Sequence, residues 1–197
     1  MQDEELARRY EDHVKPINEL VDQINSSEPS RWMPYVSPDF GGVRAQLLLL
    51  LKVPSPATDN RDGQPGSGLL SVNNSDGAAA RTHQLLEETG LRLDQVLTWN
   101  AYPWIPPAEG LNNDDLHRGA KALRRLVDLL PRLRVAILSG ADAKTVWGHL
   151  APPPRGVRVI QARPTGNRAF TGAETDKTKG MREQDDIFRR AGKIIGP

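Results

Sequence analysis

The chain has 197 residues, with 26 Lys and Arg against 25 Asp and Glu. The resulting net charge of +1 excludes a strongly basic polymer-coating protein and leaves any contact with a polyanion to local arrangement. No cysteine is present, which excludes disulfides, zinc thiolates, iron–sulfur clusters and a thiol nucleophile. The length suits one domain, residues 1–197, with a substantial core. The acidic start Met1-Gln2-Asp3-Glu4-Glu5 leads into no unbroken apolar segment, so neither a signal peptide nor a membrane span is expected. A cytoplasmic place, in a bacterial cytosol or at the nucleoid, fits these features.

From about Glu4 to Asn25, Leu6, Tyr10, Val14, Ile17, Leu20, Val21 and Ile24 recur at three- and four-residue steps, the pattern of a one-faced helix. Pro16 is expected to kink or divide it. A passage rich in proline and glycine runs past Trp32, Tyr35 and Phe40 to a first strand, about Ala45 to Lys52. Its unbroken apolar run suits burial on both faces, hence a central position. Pro54 to Gly68 holds Pro, Gly, Asp, Asn and Ser with almost no apolar residue, and reads as a long loop. Ser75 or Asp76 can cap a helix that runs to Glu88, buries Leu85 and Leu86 and stops at Gly90.

Val96 to Trp99 forms the second predicted strand, followed by an irregular loop through Pro103, Pro106 and Pro107. Asn113 is placed as the cap of a helix carrying Leu116, Ala120, Leu123, Leu126, Val127 and Leu130, ended by Pro131. Arg134 to Ser139 is the third strand, Ala141 to Leu150 a short helix, Val157 to Gln161 the fourth strand, and about Thr178 to Ile195 a closing helix. Such alternation implies right-handed crossovers and a parallel sheet between helical layers. Gly63-Gln64-Pro65-Gly66-Ser67-Gly68 lacks the terminal Lys-Ser/Thr of a phosphate-cradling loop. His13, His83, His117 and His149 all fall in predicted helices without ligand spacing, so no metal and no cofactor are expected.

Three segments carry the chemistry. Leu51-Lys52-Val53-Pro54-Ser55-Pro56 leaves the first strand, Thr98-Trp99-Asn100-Ala101 ends the second, and Arg163-Pro164-Thr165-Gly166-Asn167 leaves the fourth. Loops at the carboxyl ends of parallel strands are where an open α/β sheet keeps its site. Together with Gly66-Ser67-Gly68-Leu69-Leu70-Ser71, and in this order, they resemble the uracil-DNA glycosylase superfamily over most of the chain. The resemblance implies a three-layer α/β/α sandwich around a four-stranded parallel sheet. It also implies hydrolysis of the glycosidic bond of uracil in DNA, leaving an abasic site, by a monomer whose partner is DNA containing uracil or abasic sites. The target nucleotide must then be turned out of the duplex.

By this resemblance Asn100 reads the base edge, since its side-chain amide offers both a donor and an acceptor; the plainer alternative is a strand-end cap. Ser55, Pro56 and Leu70 would shape the base pocket, with Leu70 standing where an aromatic often stacks. Val53 departs from the family's first motif, where an acidic or asparagine side chain positions or activates water and stabilises the cationic sugar, and valine can do neither. Asp59, in the loop that follows, is the carboxylate expected to replace it, although acidic residues in such loops are also ordinary turn formers. Arg163 stands where a histidine stabilises the departing base, so its guanidinium would stabilise that anion or clamp a phosphate. Asn73, Arg163, Asn167, Arg168 and Phe170 are the expected DNA contacts, the last three from the segment that enters the duplex. Trp99, Tyr102, Trp104 or Phe40 could stack from another direction. Because Val53 and Arg163 alter two motifs, binding of uracil-containing or abasic DNA without turnover is the second expectation, and a structural protein the third.

Overall fold

The structure is a computed structural model that describes residues 2–164 and 174–196. Its strands are β1 (Tyr35–Val36), β2 (Leu47–Leu51), β3 (Leu69–Leu70), β4 (Val96–Asn100), β5 (Val135–Ser139) and β6 (Arg158–Ala162). Its α-helices are α1 (Gln2–Ala7), α2 (Lys15–Ser27), α3 (Gly77–Thr89), α4 (Asn113–Asp128), α5 (Ala141–Gly148) and α6 (Glu174–Ile195). Four strands form one all-parallel sheet in the order β4-β2-β5-β6, flanked by helices on both faces. The expected three-layer α/β/α fold is therefore present. β1 and β3 add a separate two-stranded parallel ribbon that the periodicity did not announce, because two residues are too few to carry a pattern.

The leucine run explains the centre of the sheet. β2 lies between β4 and β5, and Leu47, Leu48, Leu49 and Leu50 are all fully buried. Each such side chain contributes roughly 1.5–3 kcal/mol relative to exposure. A strand covered by helices on both faces has no solvent face on which alternation could appear, hence the continuous apolar sequence. The helices sort by crossover direction: α3 packs with α6 on one face, and α4 packs with α2 and α5 on the other. Chain order along the sheet reverses at β2, so the connections after β2 and β5 leave to opposite faces, opening a crevice above their carboxyl ends.

Several boundaries differ from the sequence expectation for identifiable reasons. Pro16 sits in the first turn of α2, where its missing N–H costs nothing, so the chain divides before it, and α1 and α2 are separate. His13 consequently lies in the intervening turn, where its Nε2 donates to the carbonyls of Pro38 (2.8 Å) and Phe40 (3.1 Å). His149 follows α5 instead of lying within it, and its ring stacks on His117 at 4.1 Å. Asn112, one residue before the expected cap, closes a capping box with Asp115 at the start of α4. Of the two candidate caps for α3 the structure uses Asp76, and Gly90 ends that helix in the left-handed conformation as expected.

The Pro54–Gly68 loop is bonded to itself. Two 3₁₀ turns (Pro56–Thr58 and Arg61–Gly63) alternate with backbone bonds from Gly66 to Asp59, Ser67 to Ala57 and Gly68 to Thr58, at 2.9–3.0 Å. Gly66 passes so close to Asp59 that a Cβ there would lie 2.1 Å from its carbonyl oxygen. Gly66 thus serves a close backbone approach. No helix among the described residues is long and apolar enough to cross a membrane, and no group of three or more His, Asp or Glu among them could hold a metal ion.

Candidate functional site

A cavity of about 440 Å³ opens over the carboxyl ends of β2, β4 and β5. Its volume lies in the range of small-molecule sites, and its wall is mainly apolar with a few polar groups. The connection after β2 supplies Val53, Pro54, Ser55 and Pro56; β3 supplies Leu70; the start of α3 supplies Asp76, Gly77 and Ala78. Ser139 at the end of β5 and Pro164 after β6 complete the rim. Four sequence-predicted residues, Ser55, Pro56, Leu70 and Asn100, therefore meet on one cavity although they come from three separated segments.

Asn100 is the centre of the site. It is 1% exposed, and neither its Nδ2 nor its Oδ1 has a hydrogen-bond partner. Its backbone is held in place by β2: Asn100 is in register with Leu51, and the next two N–H groups, of Ala101 and Tyr102, continue the ladder to the carbonyls of Leu51 (2.7 Å) and Lys52 (3.0 Å). A fixed backbone with an unpaired buried amide is costly unless something else satisfies it, about 1–3 kcal/mol for each unsatisfied group. Thr98, two residues earlier and so on the same face of β4, also lines the cavity with an unpartnered hydroxyl. Asn74 adds a third orphan: its Nδ2 donates to Leu69 at 2.8 Å, while its Oδ1 has no partner. Thr98 was not singled out in the sequence, but a polar-x-polar pair in the otherwise apolar β4 is the signal that points to it.

The loop residues are positioned by local bonds. Ser55 caps the Pro56–Thr58 turn, its Oγ accepting from Ala57 at 3.2 Å while its carbonyl accepts from the Thr58 hydroxyl at 2.7 Å. Asp59 follows immediately but does not line the cavity. Both its oxygens take hydrogen bonds from Arg61, Nε and Nη2 at 3.0 Å each, and the Arg61 guanidinium lies 5.4 Å over the Trp32 ring. These bonds hold the Asp59 carboxyl below the usual carboxylate range. The carboxylate that does line the cavity is Asp76, whose Oδ1 accepts from Ala78 at 2.9 Å and Ala79 at 3.0 Å.

Arg163 is likewise beside the cavity and not in its wall. Its side chain is 57% exposed and pairs with Glu183 at 3.0 Å, while its carbonyl accepts from Ser139 Oγ and Gln184 Nε2. Gln184 is fully buried, donates also to the Pro164 carbonyl at 3.0 Å, and accepts from Arg81 at 3.0 Å. Arg81, itself buried, further binds Asp185 at 2.7 Å. This Arg81–Gln184 link between α3 and α6 sets Pro164 on the cavity rim. Asn73 does not line the cavity; its amide donates to Glu5 and Asp39, both at 3.3 Å. Asn167, Arg168 and Phe170 lie outside the described residues.

Of the aromatic residues considered for stacking, Phe40 lines the cavity. Trp99, Tyr102 and Trp104 are instead buried in the core, the last two with ring centroids 5.1 Å apart. A larger hollow of about 930 Å³ is lined by β6 and α6, and none of the unpartnered buried polar atoms among the described residues belongs to its lining. Comparison with protein-family models and with curated proteins finds no match to this chain.

Proposed function

We propose that the cavity receives a uracil base turned out of DNA, and that the protein is a DNA-repair glycosylase that hydrolyses the bond between that base and its sugar. The observation that carries this reading is the unpartnered amide of Asn100 at the carboxyl end of β4, on the cavity beside the switch point between β2 and β5. An asparagine amide presents a donor and an acceptor side by side, which is the complement of the N–H and C=O edge of uracil. Thr98 and Asn74 offer further unpaired polar groups on the same cavity, Phe40 and Leu70 offer apolar surface for the ring, and Val53 and Pro54 close the side wall. The base edge would supply hydrogen-bond partners that the protein itself does not offer these groups.

A second reading, binding of uracil-containing or abasic DNA without turnover, is favoured by a specific observation. Asp59 and Arg163, the residues expected to replace the altered motif positions, are each engaged in an ion pair outside the cavity. The two readings separate in one experiment. Purified protein is incubated with an oligonucleotide carrying a single uracil, and abasic sites are then cleaved with alkali while a parallel sample is run as a mobility shift. Strand cleavage that depends on uracil supports the glycosylase. A uracil-dependent shift without cleavage supports the binder, and neither product nor shift overturns both.

A further inference from the structure

We infer that Asp76 supplies the carboxylate that the first motif lacks, facing the sugar of the extruded nucleotide from the start of α3. The inference rests on the glycosylase reading and assigns a residue that the chain's own motifs do not. Four observations carry it. Among the described residues Asp76 is the one carboxylate on the cavity wall, where Val53 stands beside the base site. Its Oδ1 is held by the Ala78 and Ala79 N–H groups, whereas its other oxygen has no hydrogen bond and no cation pairs with it among the described residues. By contrast Asp59 is tied to Arg61, Asp39 to Arg8 and Asp142 to Lys52.

The third observation is space. The residues that follow Asp76 along the wall are Gly77, Ala78 and Ala79, none of which carries a side chain longer than a methyl. The fourth is depth. Asn100 is fully buried and Asp76 only partly so, which orders them from floor to mouth. A nucleotide whose base edge meets Asn100 must cross the level of Asp76 on its way to the DNA backbone outside, and the part at that level is the sugar. The unpartnered amide and hydroxyl of Asn100 and Thr98 independently mark the cavity as a polar ligand site.

The chemistry then balances without another reactant. The bond between C1′ and the base nitrogen breaks with its electron pair leaving on the base, and the sugar becomes cationic. The Asp76 carboxylate stabilises that cation and accepts a proton from the water that adds to C1′. The proton passes to solvent, and the base anion takes one from solvent. Two backbone donors on one oxygen hold the carboxylate still, so little reorganisation is needed as positive charge develops.

The test uses Asp76→Asn, because asparagine caps a helix as well as aspartate does and the fold is retained, with Asp76→Ser as a second capping variant. Two duplexes serve as probes, one with a cationic pyrrolidine abasic analogue and one with the neutral tetrahydrofuran analogue. The wild type should prefer the cationic probe by roughly tenfold or more, and both variants should lose that preference; excision of uracil should fall roughly 100-fold or more. Wild-type excision with an unchanged rate and preference in the folded variants overturns the role of Asp76 and leaves the glycosylase reading standing. A wild type that neither excises uracil nor binds either probe overturns both.

Discussion

Replacing Asn100 by leucine should stabilise the empty protein while abolishing recognition of uracil-containing DNA. The leucine side chain has nearly the branched shape of the amide, so the change exchanges polarity more than volume. Asn100 keeps two buried polar atoms without partners. At the lower end of the usual cost, about 1 kcal/mol for each, and with water in the open cavity offsetting part of it, removing both should raise stability by up to about 2 kcal/mol. In a chain of this length that corresponds to a rise in Tm of roughly 4–8 °C. A polar residue that weakens the fold and is needed for binding is the signature of a site, whereas a structural asparagine loses stability when replaced. Thermal unfolding by circular dichroism, with urea unfolding as a second measure, gives the sign directly. An Asn100→Leu protein that melts lower than the wild type would show that the amide is satisfied within the fold, and the argument for a base-reading role would fail.

Three further outcomes follow from the same geometry. Gly119→Ala in α4 should destabilise, against the helix preference for alanine of about 1 kcal/mol, because the new Cβ would lie 1.9 Å from the Ala101 carbonyl oxygen. A Tm above that of the wild type would contradict this packing of α4 on the end of β4. Gln184→Leu removes bonds to Arg81, Arg163 and Pro164 and leaves a buried guanidinium short of one acceptor, so urea unfolding should show a loss of about 2–4 kcal/mol. An unchanged midpoint would mean that Gln184 does not hold the rim. Asp59 is held below the ordinary carboxylate value by Arg61, so its contribution to stability is complete above the unfolded value near 3.9 and is lost as the pH falls through the folded one. Asp59→Asn should therefore flatten the acid side of the stability curve, measured by unfolding from pH 5 downwards, while excision stays close to that of the wild type. A large loss of excision with an unaltered acid slope would return Asp59 to the chemistry.

The layers of this protein were legible because each rests on a local pattern. Five consecutive leucines specify a strand buried on both faces, the three- and four-residue spacing of Leu116 to Leu130 specifies a one-faced helix, and Gly90 marks where α3 ends. That the segments after β2 and at the end of β4 open on one edge was also legible, since parallel strands alternating with helices bring their carboxyl ends together, whereas Leu70, on the separate ribbon, was expected there only from the resemblance. What composition and spacing left open was the direction and partner of each polar side chain. Asp59 and Asp76 are both acidic residues in turn-forming surroundings. Only the folded chain sets one against Arg61 and leaves the other with a free oxygen on the cavity wall. Arg163 points to Glu183, and Thr98 stands unpaired beside Asn100, for the same kind of reason. Backbone form follows from neighbours in sequence, but a hydrogen bond is satisfied or left open by atoms that meet only after the sheet and its helices have closed around them.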